Sequence, residues 1–211
     1  MKNEVVRIPV NGAYIEGALE LPDQPIGLVL FAHGSGSSRH SPRNNFVARV
    51  LREHGIGTLL MDLLTPEEDR DYSRRFDIDL LVERLRAAAH WVKQNPDTAS
   101  LKVGYFGAST GAAAALRAAA DDESIAAVVS RGGRPDLASP AELSRVKAPT
   151  LFLVGGLDFG VIELNEQAFA DLKCEKRFVI VPGATHLFEE PGTLEEVAAQ
   201  AADWFKKHFE K

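Results

Sequence analysis

Residues 107–111 read Gly-Ala-Ser-Thr-Gly and lie between an apolar run, Leu101 to Phe106, and an alanine-rich segment, Ala112 to Ala120. This order predicts a strand, a sharp turn and a helix, the context that a G-x-S-x-G elbow requires. The flanking glycines let the strand and the helix pass closely, and the tight turn forces Ser109 into an uncommon backbone conformation. The stretch therefore predicts a serine hydroxyl presented at one edge of a sheet, beside the positive end of a helix.

Strand-like and helix-like segments alternate on both sides of this turn. The pair Asn11-Gly12 favours a two-residue hairpin turn near the N-terminus. The pattern predicts a single domain, residues 1–211, built on a doubly wound, mostly parallel eight-stranded sheet that begins with this antiparallel hairpin. The predicted strands cover residues 5–10, 13–21, 26–33, 56–63, 101–106, 125–130, 150–154 and 177–181, and the predicted helices cover residues 44–54, 77–94, 112–120, 140–144 and 161–173, with a last helix from residue 193.

Two features of the last helix can be predicted from its sequence. Thr193 is a favourable N-cap residue, and Glu196 three positions later would complete a capping box. Trp204 lies at helical spacing with Leu194 and Val197, which predicts a core position for the indole ring.

Composition narrows the classes of function. The net charge of −6 argues against nucleic acid or an anionic membrane as the main partner. The single cysteine, Cys174, excludes an internal disulfide and a cysteine-based zinc cluster. No apolar run reaches the roughly 18 residues of a membrane span, and the N-terminus does not resemble a signal peptide. We therefore expect a cytoplasmic monomer or small homo-oligomer that acts on a small molecule and not on a membrane.

Polar residues follow several of the predicted strands directly. Ser109 ends the strand before the elbow, Asp158 follows the strand over 150–154, and His186 follows the strand over 177–181. Ligands bind at the carboxyl ends of strands in an open α/β sheet, so these three side chains are expected to meet. Their chain order, Ser then Asp then His, is that of α/β-hydrolases.

Each residue type has a chemical reason to stand in this set. A serine hydroxyl is a weak nucleophile until a base takes its proton, and His186 can act as that base. Asp158 would accept a hydrogen bond from the other imidazole nitrogen and stabilise the imidazolium. The backbone N–H groups of Ser35 and Thr110 are the candidate oxyanion donors. Thr110 directly follows the nucleophile, and Ser35 lies in the glycine-rich turn after the third predicted strand.

Other interpretations of these residues stay open at this point. Asp158 could instead cap the helix that begins near residue 161. Asp136 and Glu163 are rival acids, and Asp136 is the stronger rival because it follows a neighbouring strand. Ser109 could also be only a small residue in a tight turn, and His186 only a loop histidine.

Substrate contacts are harder to predict, and the candidates are Gly34, Gly36, Arg131 and Phe159. Arg131 and Arg134 follow a strand end, where they could bind a substrate carboxylate, although solvated loop arginines are the favoured interpretation. His33 is expected to bond locally and shape the oxyanion turn. The other histidines are expected at the surface, namely His40, His54, His90 and His208.

Four separated segments resemble the dienelactone-hydrolase-like branch of the α/β-hydrolases, and they are residues 33–39, 107–111, 130–135 and 182–188. The resemblance implies an α/β-hydrolase fold with no large cap domain and with no metal or organic cofactor. Relatives of this type also occur fused to phosphoribosyltransferase domains. Dienelactone hydrolase itself uses a cysteine nucleophile, whereas this chain has Ser109, so the dienelactone substrate does not carry over.

Together the residues and the resemblance predict a serine hydrolase that cleaves a small carboxylic ester, lactone or thioester. An acyltransferase or perhydrolase would use the same Ser109, His186 and Asp158 with a different acceptor. A catalytically idle domain that only binds a partner is the alternative from another class.

Overall fold

The computed structural model describes residues 1–211 and contains one eight-stranded sheet. The strands are β1 (Lys2–Val10), β2 (Ala13–Leu21), β3 (Leu28–Ala32), β4 (Gly57–Met61), β5 (Val103–Ala108), β6 (Ile125–Arg131), β7 (Thr150–Gly155) and β8 (Lys176–Val181). Their order across the sheet is β1-β2-β4-β3-β5-β6-β7-β8. β2 pairs antiparallel with β1 and β4, and all other neighbours are parallel. This confirms the predicted mostly parallel sheet with an N-terminal hairpin.

Six helices cover the two faces of the sheet. They are α1 (Pro42–Glu53), α2 (Ile78–Gln94), α3 (Thr110–Ala120), α4 (Pro140–Arg145), α5 (Val161–Asp171) and α6 (Thr193–Phe209). α1 and α6 share one apolar cluster with the sheet, and α2 to α5 belong to a second cluster on the opposite face. None of the helices combines the length and the apolar character that crossing a bilayer requires.

The central strands are buried on both faces, which explains their continuous apolar sequences. Every residue of β3, β4, β5 and β7 is buried, as expected for parallel strands that carry helices on both sides. The carboxyl ends of these strands therefore meet at one edge, where the connecting loops are free to carry polar side chains.

Close packing of β5 against α3 depends on two glycines. A Cβ atom at Gly111 would overlap the carbonyl oxygen of Ala32, and one at Gly107 would overlap the backbone of Ala112. Because both residues are glycines, the strand and the helix can approach closely and the turn between them can be as tight as the sequence predicts. α3 itself is buried almost all round, since ten of its residues are inaccessible to solvent.

The predicted start of the last helix at Thr193 is confirmed, but the predicted cap is wrong. Gly192, at φ +82°, is the N-cap of α6, and no side chain caps it. Thr193 lies inside the helix, and its hydroxyl donates to the carbonyl oxygen of Glu190 at 2.8 Å. The chain enters the helix through a left-handed glycine, so the capping box with Glu196 does not form.

The predicted core position of Trp204 is confirmed, but the predicted surface position of His208 is wrong. Trp204 is buried, and its indole N–H donates to the carbonyl oxygen of Pro149 at 3.3 Å. His208 was expected at the surface but is buried against Trp204, with 4.7 Å between the ring centroids. Its position one helical turn after Trp204 places it on the same inward face.

The charged stretch after β4 is ordered by one buried ion pair. Two short 3₁₀ turns, Glu68–Arg70 and Tyr72–Phe76, lie in this stretch. Arg84 of α2 is buried and donates to both carboxylate oxygens of Glu68, at 2.9 and 2.7 Å. This bidentate pair holds the stretch against the body of the protein.

Candidate active site

Ser109 occupies the turn between β5 and α3 in a conformation that non-glycine residues rarely adopt. Its φ is +52° and its ψ is −121°. Its N–H donates to the carbonyl oxygen of Arg131 at 3.3 Å, and its own carbonyl oxygen accepts from Ala112 and Arg134. Such conformations cost of order 1–3 kcal/mol and persist where the surroundings hold them. The backbone contacts thus fix the direction in which the Ser109 side chain leaves the turn.

Asp158 and His186 form a hydrogen-bonded pair at the carboxyl ends of β7 and β8. Oδ2 of Asp158 lies 2.7 Å from Nδ1 of His186. Because an ionised carboxylate only accepts, Nδ1 carries the hydrogen and Nε2 is left as the acceptor. The Asp158 side chain is 10% exposed and that of His186 is 39% exposed, so the imidazole reaches the surface of the site while the carboxylate lies beneath it.

The alternative role of Asp158 as a helix cap and the two rival acids do not agree with the structure. Gly160, not Asp158, is the N-cap of α5, and no side chain caps that helix. Both carboxylate oxygens of Asp136 accept from Arg134, at 2.9 and 2.8 Å. Glu163 is exposed in the first turn of α5. Asp158 is therefore the acid that contacts His186.

A cavity of about 260 Å³ connects Ser109 with His186. Residues of β5, α1, the end of β6 and the loops after β3 and β8 line it: Gly34, Ser35, Ser37, Ser41, Arg43, Asn44, Ala108, Arg131, Gly132 and Leu187. Ser109 and His186 share this space without a hydrogen bond between their side chains. No acidic residue lines the cavity.

His33 fixes the backbone of the loop after β3. Its Nδ1 lies 2.8 Å from the carbonyl oxygen of Gly34, and its Nε2 accepts from the N–H of Leu63 at 3.0 Å. The ring is therefore neutral with its hydrogen on Nδ1, and burial lowers the pKa of His33 below its ordinary value. Ser37 N–H also donates to Gly34 at 3.1 Å.

This anchoring determines where the Ser35 N–H points. In a trans peptide the C=O and the following N–H point in opposite directions, so holding the Gly34 carbonyl directs the Ser35 N–H away from His33. The Ser35 N–H donates no hydrogen bond within the chain. Thr110, at the first position of α3, has one of the N–H groups that helix geometry leaves without an intrahelical acceptor.

A second cavity of about 260 Å³ lies beside the first and shares Gly34, Ser35 and Ser37 with it. Gly36 lines this second cavity and not the one that contains Ser109. Phe159, another candidate for substrate contact, is 78% exposed and lines neither cavity. Of the four candidate contacts, Gly34 and Arg131 therefore share the cavity with Ser109.

The expectation that Arg131 is a solvated loop residue is wrong. Arg131 is only 7% exposed at the end of β6, and its guanidinium lies over the ring of Phe188, 5.7 Å from the centroid. Arg134 differs, because it is partly exposed and pairs with Asp136. Sequence reasoning also missed Arg43, although its place at the start of a helix that follows β3 puts it at the same edge of the sheet.

Comparison with known proteins identifies the family. The model of the dienelactone hydrolase family matches residues 59–210. A crystal structure of dienelactone hydrolase from Anabaena variabilis shares 55% identity, with a TM-score of 0.95 over 98% of both chains. Est1E from Butyrivibrio proteoclasticus shares 16% identity, with a TM-score of 0.84 over 98% of this chain and 99% of its own, which shows the common fold alone.

Two curated relatives are longer than this chain. Both come from strains of Mycobacterium tuberculosis, are provisionally named as phosphoribosyl transferases, and are 56% identical over 210 residues. The match covers 99% of this chain and 47% of each relative, so the chain spans about half their length. The chain belongs to the dienelactone hydrolase family and has the α/β-hydrolase fold.

Proposed function

We propose that this chain is a serine esterase that cleaves small carboxylic esters, lactones or thioesters through an acyl-enzyme on Ser109. The observation that carries the proposal is the 2.7 Å contact between Asp158 and His186 beside the cavity that Ser109 lines. A serine needs such an oriented base to become a nucleophile at neutral pH. Membership in a hydrolase family supports the same chemistry.

Acylation follows from the positions of these three groups. Ser109 Oγ attacks the substrate carbonyl carbon while Nε2 of His186 accepts the hydroxyl proton. Asp158 keeps the imidazole in the tautomer with hydrogen on Nδ1 and stabilises the imidazolium. Collapse of the tetrahedral intermediate breaks the bond to the leaving alcohol or thiol, which takes the proton from His186. The Ser109 and His186 side chains come into hydrogen-bond distance when substrate binds, as often happens in such sites.

Deacylation repeats these steps with water. The water oxygen attacks the acyl carbon while His186 accepts a proton from that water. The bond between the acyl carbon and Ser109 Oγ then breaks. The proton returns from His186 to the serine oxygen, and the carboxylic acid leaves. An alcohol or a peroxide in place of water would make the same site an acyltransferase or a perhydrolase, so product analysis with competing nucleophiles belongs in the test.

The oxyanion of each tetrahedral intermediate requires backbone donors. We assign that role to the N–H groups of Ser35 and Thr110. His33 contributes indirectly, because it anchors the Gly34 carbonyl and leaves the adjacent Ser35 N–H free. Loss of one such donor typically reduces kcat by about 10²–10³-fold.

The name of the Mycobacterium relatives refers to proteins of which this chain matches 47%. The geometry around Ser109 supports ester cleavage and provides no separate argument for transfer of a phosphoribosyl group. We therefore assign ester cleavage to the part of those proteins that this chain resembles.

A fluorophosphonate probe tests the proposal directly. Covalent labelling is expected for the wild type and for Ser144→Ala, which changes an exposed serine of α4, and no labelling is expected for Ser109→Ala. A panel of p-nitrophenyl esters, lactones and thioesters then defines the preferred class. Equal labelling of Ser109→Ala and the wild type, or no labelling of any of them, would contradict the proposal.

A further inference from the structure

The cavity that contains Ser109 has an excess of positive charge. Arg43 and Arg131 line it, and the rest of its lining consists of glycine, serine, asparagine, alanine, leucine and His186. Buried cationic side chains are normally paired with an acidic group. Because no Asp or Glu lines this cavity, an anionic group that enters it would meet the two guanidinium groups without competition from a carboxylate of the lining.

Arg131 is the more buried of the two cations. It is 7% exposed, forms no ion pair, and has its Nε buried without a hydrogen-bond partner. Burial, with a smaller contribution from the charge of Arg43, lowers the pKa of Arg131 to about 10, so the guanidinium stays protonated at neutral pH. Its one close favourable neighbour is the face of the Phe188 ring.

Arg43 places a second charge at the N-terminus of α1. Its nearest acid is Glu189, whose Oε1 lies 3.9 Å from Nη1; the Glu189 side chain is 67% exposed, and ion pairs with so exposed a partner contribute little. The first turn of α1 has no acidic residue. Ser41 caps the helix by accepting from the N–H of Asn44 at 3.2 Å, which leaves its own hydroxyl hydrogen free to donate into the cavity.

The neighbouring cavity has a different charge balance. Its lining includes Asp69 and Arg75, which pair with each other at 2.9 Å, and Asp62, which pairs with Arg39. Positive charge in that cavity is therefore already compensated. Of these two spaces, only the one that contains Ser109 combines a buried cation that pairs with no acid, Arg131, with a helix N-terminus.

We infer that the substrate of the proposed esterase carries a doubly charged phosphoryl group, a phosphate monoester or a phosphonate, held by Arg131 and Arg43 at the start of α1. A phosphoryl dianion offers the two guanidinium groups three acceptor oxygens and two charges, whereas a carboxylate offers two oxygens and one charge. The phosphoryl group orients the ester and is not itself transferred or cleaved. This inference rests on the proposed function, because Ser109 acts on the ester bond of the same molecule.

Two matched ester series test the charge requirement. One series carries the end group on the alcohol and the other carries it on the acyl chain, and each compares a methyl, a carboxylate and a phosphonate end group. Hydrolysis is followed by titration of the released acid, at a pH where the phosphonate is doubly ionised. In at least one series, kcat/KM should be about 10- to 100-fold higher for the phosphonate than for the methyl compound, the range expected for charge-assisted hydrogen bonds.

Variants show whether the two arginines are responsible. Arg43→Gln and Arg131→Gln should each remove most of the phosphonate preference and change hydrolysis of the methyl compound much less. Arg49→Gln, on the same helix but exposed and paired with Glu53, should retain the preference. If Arg131→Gln fails to fold, Arg43→Gln still decides the question, because Arg43 is one-third exposed.

A binding measurement separates failure of this inference from failure of the proposed function. Ser109→Ala should bind the non-hydrolysable amide of the phosphonate compound in a calorimetric titration, and Ser109→Ala/Arg43→Gln should bind it at least about 10-fold more weakly. Binding without hydrolysis of any ester by the wild type would sustain the anion site and contradict the esterase. Hydrolysis without a phosphonate preference, or an equal preference for the carboxylate, would overturn the dianion site and leave the esterase standing.

Discussion

Asp158 and His186 are 28 residues apart in the chain, and their side chains meet at 2.7 Å. The contact arises because β7 and β8 are parallel neighbours whose carboxyl ends lie side by side. Each loop is held by the backbone of the other, since the N–H of Leu157 donates to the carbonyl oxygen of Ala184 at 2.9 Å. The pair is thus positioned by the sheet and not only by its own hydrogen bond.

Asp158→Asn should abolish most of the esterase activity. An asparagine side chain can donate to Nδ1 and so favour the wrong imidazole tautomer, which in a well-studied triad lowers kcat by about 10⁴-fold. The measurement is kcat for a p-nitrophenyl ester, with circular dichroism to show that the fold is retained. Asp136→Asn is the matched control, because that carboxylate pairs with Arg134. Loss of turnover in Asp136→Asn alone would show that the assignment of the acid is wrong.

His33 should make stability depend on pH. Burial lowers the pKa of His33 in the folded protein, whereas in the unfolded chain a histidine titrates near 6.5. As the pH falls below about 6.5, the unfolded state binds a proton that the folded state does not. The contribution of His33 is therefore complete above that pH and is lost on acidification, by at most about 1.4 kcal/mol per pH unit.

Urea unfolding of the wild type and His33→Gln between about pH 7.5 and pH 5.5 measures this contribution around the pKa of an unperturbed histidine. The free energy of unfolding should fall more steeply with acidification in the wild type than in the variant. His208, whose pKa is also lowered by burial, is present in both proteins and cancels in the difference. Parallel curves for the two proteins would refute the neutral, buried role of His33.

Gly111→Ala should destabilise the protein more than Gly160→Ala. The new methyl group at position 111 would overlap the carbonyl oxygen of Ala32, whereas nothing lies within 4 Å of a Cβ at Gly160. The backbone at Gly160 has φ +82°, so its alanine variant should lose only about 1–2 kcal/mol to backbone strain. Gly111→Ala should lose about 3 kcal/mol or more through overpacking. Denaturant unfolding compares the two, and equal losses would exclude close packing as the cause.

Glu68→Gln should loosen the stretch of 3₁₀ turns before α2. Burial alone would raise the pKa of Glu68, but its hydrogen bonds and charge interaction with Arg84, together with its hydrogen bonds with Thr65, outweigh that effect and the pKa is lowered. Neutralising Glu68 leaves Arg84 buried without its counter-ion. Such losses reach about 3–5 kcal/mol in full burial, and we expect about 2 kcal/mol because the Glu68 side chain is partly exposed.

Glu67→Gln is the matched control for this change, because Glu67 is exposed and its side chain has no partner. Denaturant unfolding and limited proteolysis over residues 65–76 should distinguish the two variants. A Glu67→Gln variant as unstable as Glu68→Gln would mean that general charge, and not the Arg84 pair, orders the stretch.

The mostly parallel sheet and the placement of Ser109, Asp158 and His186 after its strands were accessible from sequence for a physical reason. Buried parallel strands give continuous apolar runs, and the polar residue that follows each run must lie at the carboxyl edge of the sheet. Local patterns therefore determined both the fold class and the neighbourhood of these side chains. The structure adds the contact between Asp158 and His186, which separates Asp158 from Asp136 as a partner of the imidazole.

The burial of Arg131 could not be predicted in the same way. Arg131 and Arg134 occur in one glycine-containing loop with similar neighbours in sequence, yet one is covered and the other pairs with Asp136 at the surface. The difference depends on Phe188, which comes from a loop 57 residues later and packs over Arg131. Likewise, Thr193 resembles an N-cap in sequence, but the left-handed turn at Gly192 decides where α6 begins.

The position of the proposed nucleophile and that of its base differ in how deeply the fold encloses them. Ser109 joins a central strand to the almost wholly buried helix α3, whereas His186 follows β8, an edge strand with only one buried residue. Amide hydrogens of β5 and α3 should therefore exchange with solvent only on global unfolding, and those around β8 should exchange through smaller openings. Under mild denaturing stress, the loop that carries His186 should therefore become disordered before the turn that carries Ser109.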